Sequence, residues 1–230
     1  MKLFNTKKSN CNYIFLPNFC GLTLPKSIFN NLETPNLNKF GCPSIASVGN
    51  KIYSANSFIG VEIEFGLKNH EPYYTYNLDK KNMQINNDVH TLINSLIVLQ
   101  YENNAINLQL LAPYAFITDD KELEFITVFP NMKTENCNYI HGGFKPYYWI
   151  RSFNSSWTLK DINKPGKLYF NVNDPFISVI FNKSVNLKYM EINNKIQNYL
   201  NESFRTNNYR KNLNNIYNNA LNRRPKKLLK

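Results

Sequence analysis

Apolar and polar positions alternate through the stretch from Phe144 to Phe181, and this pattern predicts consecutive β-strands. Leu168, Phe170 and Val172 recur at every second position, as in a strand with one solvated face. The segment Phe176–Phe181, FISVIF, is instead continuously apolar, which is typical of a strand that is covered on both faces. We therefore expect this stretch to form the centre of a β-fold.

Two turns divide the central stretch. Proline and glycine occur in Lys164–Lys167, and asparagine, aspartate and proline occur in Asn173–Pro175. Proline presets φ, and glycine or asparagine tolerates φ > 0, so both segments favour tight turns. The strands around these turns are predicted to anchor the core through large apolar side chains, namely Trp157, Phe170, Phe176, Val179 and Phe181.

Alternation also occurs upstream of the central stretch. Ser57–Phe65 alternates, and a change of parity near Gly60 indicates a bulge or a strand end. Ala105–Pro113 alternates and leads into PYAFIT before Asp119–Asp120, and Leu123–Thr127 alternates after them. Two alternating segments joined by a short polar link predict a hairpin, with the two aspartates in its turn.

The ends of the chain differ from its centre. After Phe181 the apolar spacing becomes helical, as in Ile192, Ile196 and Leu200. Prolines punctuate the first forty residues, which predicts irregular structure. The predicted division is an irregular N-terminal arm at 1–41, an antiparallel β domain at 42–183 and a helical, basic tail at 184–230. The predicted fold class is mainly β: an antiparallel β-sandwich or β-clip-like barrel with a short helical C-terminal extension.

Charge is concentrated at the C-terminus. The formal net charge is +11, and Arg205 to Lys230 contains eight basic residues and no acidic one. Lysine and arginine displace phosphate counterions, and Tyr209 and Tyr217 could stack on unpaired bases. The residues predicted to contact nucleic acid are Arg210, Lys211, Arg223, Arg224, Lys226 and Lys227. Basic tails of this kind also bind acidic proteins or keep a protein soluble.

Motifs for catalysis or metal binding are not found. The sequence has no P-loop, no GxSxG and no HExxH pattern, and its four cysteines lack CxxC spacing. We therefore predict no catalytic residue, no metal and no cofactor. Because the apolar runs are shorter than the roughly 20 residues of a membrane span, and no signal peptide is evident, we expect a soluble intracellular protein without a membrane partner.

Several polar groups could nevertheless form a site. Glu62 and Glu64 share a strand face and could act as a carboxylate pair, although alternating acids are commoner on a solvated face. His90 and the segment His141–Gly143 could be a catalyst and an anion-binding nest, or a structural histidine and a simple turn. The two aspartates of Asp119–Asp120 could bind a metal or solvate a turn.

Short motifs resemble an uncharacterised protein family of T4-like phages of marine (cyanobacterial or pelagic) bacteria. They are Cys42-Pro43 after a proline-rich arm, the PYAFIT segment, Phe129–Asn131 and a basic helical tail. The central stretch is distantly similar to the bacterial domain of unknown function 6065, and its strand order resembles the dUTPase-like β-clip fold. The residues that carry this likeness are Trp157, Pro165, Gly166, Asp174, Pro175 and Phe176.

The resemblance implies a phage accessory or structural protein in the host cytoplasm or the virion. Arms at both ends of a β domain suit protein–protein contacts or self-association without catalysis. Two alternatives stay open: a nucleic-acid-binding protein that uses the basic tail, and a degenerate nucleotide-binding β-clip enzyme. A β-clip hydrolase needs a Gly-Arg-Ser-Gly phosphate loop, whereas the corresponding region here reads GGFKPYYWIRS.

Overall fold

The computed structural model describes residues 8–16, 18–19, 22–23, 51–57, 59–79, 87–130, 132–194, 196–198 and 200. These residues form a mainly β fold with several antiparallel sheets and short helices, so the predicted fold class is confirmed. The first elements are β1 (Ser9–Phe15), β2 (Asn18–Phe19), β3 (Leu22–Thr23), β4 (Ile52–Asn56), β5 (Val61–Lys68), β6 (Glu71–Leu78), α1 (Asn87–Leu96), β7 (Ile97–Glu102) and β8 (Ala105–Thr118). The others are β9 (Phe125–Val128), β10 (Lys133–Glu135), β11 (Cys137–Ile140), β12 (Gly143–Phe144), β13 (Ser152–Leu159), β14 (Gly166–Phe170), β15 (Pro175–Phe181) and β16 (Val185–Tyr189).

The largest sheet is organised around the long strand β8. Its order is β11-β13-β8-β1-β16, and β7 also pairs with β8. One edge of β8 pairs with β13, and the other pairs first with β7 and then with β1, each antiparallel. Strands β1 and β16 run parallel. We call this the large sheet.

Two four-stranded sheets complete most of the fold. The β5 sheet has the order β10-β14-β5-β6, and the β15 sheet has the order β12-β9-β15-β4. Every pairing within these two sheets is antiparallel. The short strands β2 and β3 pair only with each other among the described residues.

An aromatic core joins the large sheet to the β15 sheet. Phe116 of β8 stacks on Phe153 of β13 with ring centroids 4.9 Å apart, and Phe125 and Phe181 meet its edge at 4.9 and 5.1 Å. Edge-to-face contacts suit the ring quadrupole and add to burial. The five predicted core residues are all buried, so that prediction is confirmed: Trp157, Phe170, Phe176, Val179 and Phe181.

The chain ends contribute strands where irregular or helical structure was predicted. Ser9–Phe15 was expected to be irregular, but it forms β1 because Cys11, Tyr13 and Phe15 alternate and become buried between β8 and β16. Val185–Tyr189 falls in the predicted helical tail, but Val185 and Leu187 alternate with polar residues and form β16. The strands thus extend on both sides of the predicted 42–183 span.

Part of the predicted C-terminal helix lies within the described residues. Residues 194, 196–198 and 200 are helical, and Ile196 and Leu200 are buried. The Asn193 side chain accepts a hydrogen bond from the Ile196 backbone N–H at 2.9 Å, as an N-cap does. The helix spacing read from the sequence therefore corresponds to core contacts at these two positions.

Two local predictions in the middle of the chain are wrong. The hairpin across Asp119–Asp120 does not form, because β8 pairs with β13, β7 and β1, whereas β9 pairs with β15 and β12. A helix within the predicted β domain was not expected, but Asn87–Leu96 forms α1 before the chain enters β7. The segment Val89–Val98 is apolar but mixed in period, so its pattern indicated neither a helix nor a strand.

The two predicted turns of the central stretch have different outcomes. The turn at Asn173–Pro175 forms, with Asn173 at φ 70°. The other turn lies earlier than predicted, at 161–164, where the Lys164 N–H bonds the Asp161 carbonyl. Gly166 is instead a buried strand residue. Glycine is needed there because a Cβ would lie 2.6 Å from the Leu159 side chain and 2.8 Å from the Cys137 sulfur. None of the helices in the described ranges is long and apolar enough to cross a membrane.

Candidate functional site

The β15 sheet turns one face toward the core. Ile177, Val179 and Phe181 of β15 are buried on this face. Tyr53 of β4 lies opposite Val179, and Phe125 of β9 lies opposite Phe181. Because strand side chains alternate between faces, the residues between these positions lie on the outer face of the sheet.

The outer face of the β15 sheet carries a row of isoleucines. Ile180 of β15 is paired with Ile52 of β4 on one side and with Ile126 of β9 on the other. Directly opposite residues on one face have Cβ atoms about 4.5–5.5 Å apart, so three branched side chains form a continuous ridge. The neighbouring row is Ser54, Ser178 and Val128. We call these six residues the isoleucine face: Ile52, Ser54, Ile126, Val128, Ser178 and Ile180.

No member of the isoleucine face is charged. Ile126 is 42% exposed, and Ile52, Val128 and Ile180 are each partly exposed. Ser54 and Ser178 are buried, and their hydroxyl oxygens lie 2.8 Å apart in a hydrogen bond between the two strands. The face therefore presents aliphatic surface with no ionic group to hold water.

Glycine at the edge of this face leaves room for the isoleucine ridge. Gly143 of β12 pairs with Ile126. A Cβ at Gly143 would lie 2.6 Å from the Ile126 Cγ2 atom and 2.6 Å from the Phe125 carbonyl oxygen. Such approaches are too close for any side chain, so glycine is required by space at this position.

Exposed aromatic and aliphatic surface continues beyond the β15 sheet. Phe129 follows Val128 by one residue and is 43% exposed, and its ring meets Tyr139 and the buried Trp157 edge-on at 6.1 and 5.6 Å. Ile140 on β11 is also exposed. Burial of the Tyr139 ring raises the pKa of its hydroxyl to about 12.

The carboxylate pair foreseen in the sequence lies on the outer face of the β5 sheet. Glu62 and Glu64 share that face, as predicted, and Lys167 of β14 reaches both, at 3.1 and 3.3 Å. Hydrogen bonds to Glu62 and then Glu64 raise the pKa of Lys167 above its ordinary value. The Tyr73 hydroxyl donates to Glu64 at 3.0 Å. The pair is thus part of an ion network with one shared cation.

Tyr169 and Lys133 extend this charged surface. Lys133 lies over the Tyr169 ring, 4.5 Å from its centroid, and pairs with Glu135 at 3.5 Å. We use the term charged face for the outer residues of the β5 sheet: Glu62, Glu64, Tyr73, Thr75, Lys133, Glu135, Lys167 and Tyr169.

Both candidate histidines make structural contacts. The Nδ1 atom of His90 on α1 is hydrogen-bonded to the Tyr76 hydroxyl at 2.9 Å. The Nδ1 atom of His141 lies 2.9 Å from the Thr127 carbonyl oxygen. The Gly142 N–H donates to the Thr127 hydroxyl at 3.0 Å. One amide of the possible anion nest is therefore already used within the protein, and the segment serves to attach the chain to β9.

Asp120 also has a structural role. Although its partial burial opposes ionisation, hydrogen bonds from Lys183 and Ser9 hold the pKa of Asp120 below its usual value. The Lys183 amine lies 2.6 Å from the carboxylate. Asp120 thus joins the turn after β8 to Ser9 at the start of β1 and to Lys183 just before β16.

The described cysteines are unreactive by environment. Cys11 and Cys137 are free thiols that lie in the core. Burial raises the pKa of Cys11, and burial raises the pKa of Cys137 to about 11. A thiol with a raised pKa is a poor nucleophile and metal ligand. In the parts of the chain that the structure describes, no three histidine, cysteine or acidic residues are grouped so that they could hold a metal ion.

The nucleic-acid-binding residues named from the sequence lie outside the described residues: Arg210, Lys211, Arg223, Arg224, Lys226 and Lys227. Cys42-Pro43 and Asn131 lie outside them as well. Sequence reasoning missed the isoleucine face, although the continuous run Phe176–Phe181 indicated a strand covered on both sides. Ile52 and Ile126 come from short strands whose pairing with β15 no local pattern reveals.

Comparison with protein-family models, with curated proteins and with solved structures finds no match to this chain.

Proposed function

We propose that this protein acts through protein–protein contacts, without catalysis, and that the isoleucine face is the contact surface with a second copy of the chain as its partner. The observation that supports this most is the uncharged ridge of Ile52, Ile180 and Ile126 on the outer side of a sheet. The outer face of an antiparallel sheet is ordinarily polar, because water is its partner. An aliphatic outer face favours a protein surface instead.

The isoleucine face is small, so a stable association through it would need many such contacts. Three strands and two rows of residues span at most roughly 200 Å², and the buried Ser54 and Ser178 add little to the surface that a partner could cover. A stable two-protein interface buries about 800 Å² on each partner. A single contact through the isoleucine face would therefore be weak, whereas repeated contacts within an assembly would add through effective concentration.

Charge favours a second copy meeting at this face rather than elsewhere. Each chain carries a formal net charge of +11, so most approaches between two copies are repulsive. The isoleucine face carries no formal charge, and a two-fold axis would place one aliphatic ridge against its own copy. The charged face, by contrast, would have to desolvate several ions to make the same contact.

The candidate acids and histidines support a non-catalytic role. Glu62 and Glu64 share Lys167, His90 bonds Tyr76, and His141 bonds the β9 backbone. Each of these contacts joins neighbouring strands or a helix to a sheet. The polar residues that could perform chemistry therefore already have structural partners.

The phage context of this proposal rests on the resemblance of the sequence motifs to proteins of T4-like phages. An accessory or structural protein of a virion, or of its assembly in the host cytoplasm, would use many weak contacts between identical chains. The resemblance and the isoleucine face are independent of each other, and each is compatible with that role.

Sedimentation velocity over a range of protein concentrations tests the contact. We expect the wild-type sedimentation coefficient to rise with concentration, and Ile126→Lys to abolish the rise because a buried lysine would lose its hydration. The matched control is Thr75→Lys, which adds the same charge at an exposed position of the charged face. Wild-type protein that stays monomeric, or equal association by both variants, would contradict the proposal.

A second candidate function, nucleic-acid binding, rests on the eight basic residues without an acid from Arg205 to Lys230. Single- and double-stranded DNA would be titrated against the full chain and a version that ends at Asn222, at two salt concentrations. If the tail binds phosphates, log affinity falls with log salt by about 0.7–0.9 per contact, and truncation weakens binding. Equal, weak binding by both proteins would exclude this function.

A further inference from the structure

An apolar cavity lies beneath α1, between the β5 sheet and the large sheet. Its volume is about 50 Å³. The residues that line it are Ile59, Val61, Ile63, Ile93, Leu96, Ile97, Leu110, Leu111, Phe170 and Phe176. All ten are aliphatic or aromatic hydrocarbons, and they come from the β5 sheet, the large sheet, β15, α1 and the segment before β5.

The position of α1 explains why a space remains at this point. The helix connects β6, an edge of the β5 sheet, to β7 of the large sheet, so it bridges two layers. Its apolar side packs inward through Ile93 and Leu96. Its outer side is attached to β6 by hydroxyl groups, since Tyr74 donates to the Asn94 side chain at 3.2 Å and Tyr76 bonds His90.

The lining determines what the cavity can hold. A buried water needs two to four polar partners, and none of the ten side chains offers one. Apolar cavities of this kind stay dry and take up apolar molecules. One water-sized group needs about 10–15 Å³, so a cavity of about 50 Å³ has room for a short aliphatic chain and not for a long one.

We propose that this cavity is a binding site for an aliphatic group of about four carbons, carried by a small molecule. Val61 and Leu111 are only partly buried, whereas the other lining residues are buried, so the group enters beside these two. Burial of hydrocarbon against ten apolar side chains provides the affinity. This site is separate from the isoleucine face and does not depend on the function proposed above.

A series of n-alkanols tests the chemical class and the size. Ethanol, n-propanol, n-butanol and n-octanol would be titrated while the methyl resonances of the lining residues are followed by NMR. Each methylene that enters the cavity should tighten binding about fourfold, up to n-butanol. We expect n-octanol to bind no more tightly than n-butanol. Absence of shifts at the lining methyls, or fourfold tightening that continues to n-octanol, would overturn the proposal.

A pair of matched substitutions tests the location. Val61→Phe fills the entrance and should weaken n-butanol binding at least tenfold. Val98→Phe makes the same change at a partly exposed strand position of β7 that belongs neither to the cavity lining nor to the isoleucine face, and it should leave the affinity unchanged. Leu111→Phe replaces Val61→Phe if that variant does not fold. Unchanged n-butanol affinity in a folded entrance variant would show that the cavity is only a packing void.

Discussion

The outer faces of the β5 and β15 sheets are both formed by antiparallel strands, but one exposes charged side chains to water and the other exposes aliphatic ones. On the charged face, Lys167 bonds both Glu62 and Glu64 across neighbouring strands. On the isoleucine face, the corresponding cross-strand neighbours are Ile52, Ile180 and Ile126. The first face has partners for its charges within its own sheet, whereas the second exposes aliphatic side chains that have no polar function.

The two faces differ in the free energy that they would gain or lose if another protein covered them. Exposed ion pairs contribute little to stability because water and salt screen them, and they cost desolvation when another protein covers them. Aliphatic side chains gain free energy when they are covered, at about 25 cal/mol per Å². Of these two faces, the isoleucine face is therefore the one whose side chains would gain free energy if another protein covered them.

The largest expected effect separates the two sides of β15. Phe181→Ala should lower the free energy of unfolding by about 3–5 kcal/mol, because Phe181 is buried against Phe116 and Phe125. Ile180→Ala, one residue away, should cost about 1 kcal/mol, since its side chain is partly exposed. Urea denaturation measures both values. Similar costs for the two variants would mean that the isoleucine face is covered within the monomer.

A smaller loss of stability is expected for a substitution at Gly143, in the edge strand β12 beside the isoleucine face. Gly143→Ala should cost about 1–3 kcal/mol, because the new Cβ would meet the Ile126 side chain and the Phe125 carbonyl at 2.6 Å. Gly142→Ala is the control, since the nearest atom to its Cβ would be 3.9 Å away. Thermal unfolding of both variants measures the difference. A neutral Gly143→Ala would show that β12 can move away from β9, and that the edge of the face is not fixed.

For each face, the sequence predicts only those features that depend on residues close together in one strand. Glu62 and Glu64 lie two residues apart on one strand, so alternation alone placed both on a shared face. The apolar run Phe176–Phe181 indicated a strand with two covered sides, whereas Ile180 on the outer side is only partly buried. Gly60 marked a strand end, and the structure begins β5 at the next residue.

The remaining features depend on pairings between distant segments. Ile52 and Ile126 are 74 positions apart in the sequence and meet only because β4 and β9 flank β15. Lys167 is over one hundred positions from the acids that it bonds. Asparagine at positive φ, as at Asn103 and Asn104 between β7 and β8, was a turn signal that the sequence contained and that could have identified that hairpin.

A still smaller effect tests whether the charged face stabilises the fold through its ions. Lys167→Met should lower the melting temperature slightly at low ionic strength, because two carboxylates lose their shared cation. The difference from wild type should shrink in 1 M NaCl, where the screening length falls to about 3 Å. Thermal melts at two salt concentrations measure this effect. A difference that does not change with salt would show that the loss of stability does not come from the charge of Lys167.

The smallest expected effect is the pH dependence of the same contact. Glu62 and Glu64 raise the pKa of Lys167 above its ordinary 10.5, so the folded protein holds this proton more tightly than the unfolded chain. Stabilisation from the contact is therefore complete below pH 10.5, and it is lost as the pH rises through the folded-state pKa. The stability difference between wild type and Lys167→Met should thus narrow in strongly alkaline solution. Urea denaturation at pH 8 and at rising pH above 10.5 measures this difference. The titration of other lysines and tyrosines cancels because both proteins share those residues.

Lys167→Arg is the control, because a guanidinium keeps its charge across this pH range. The stability difference between Lys167→Arg and Lys167→Met should therefore persist. If wild type and Lys167→Met kept the same separation at every pH, the charged face would contribute no ionic stabilisation, and its contrast with the isoleucine face would be one of exposure alone.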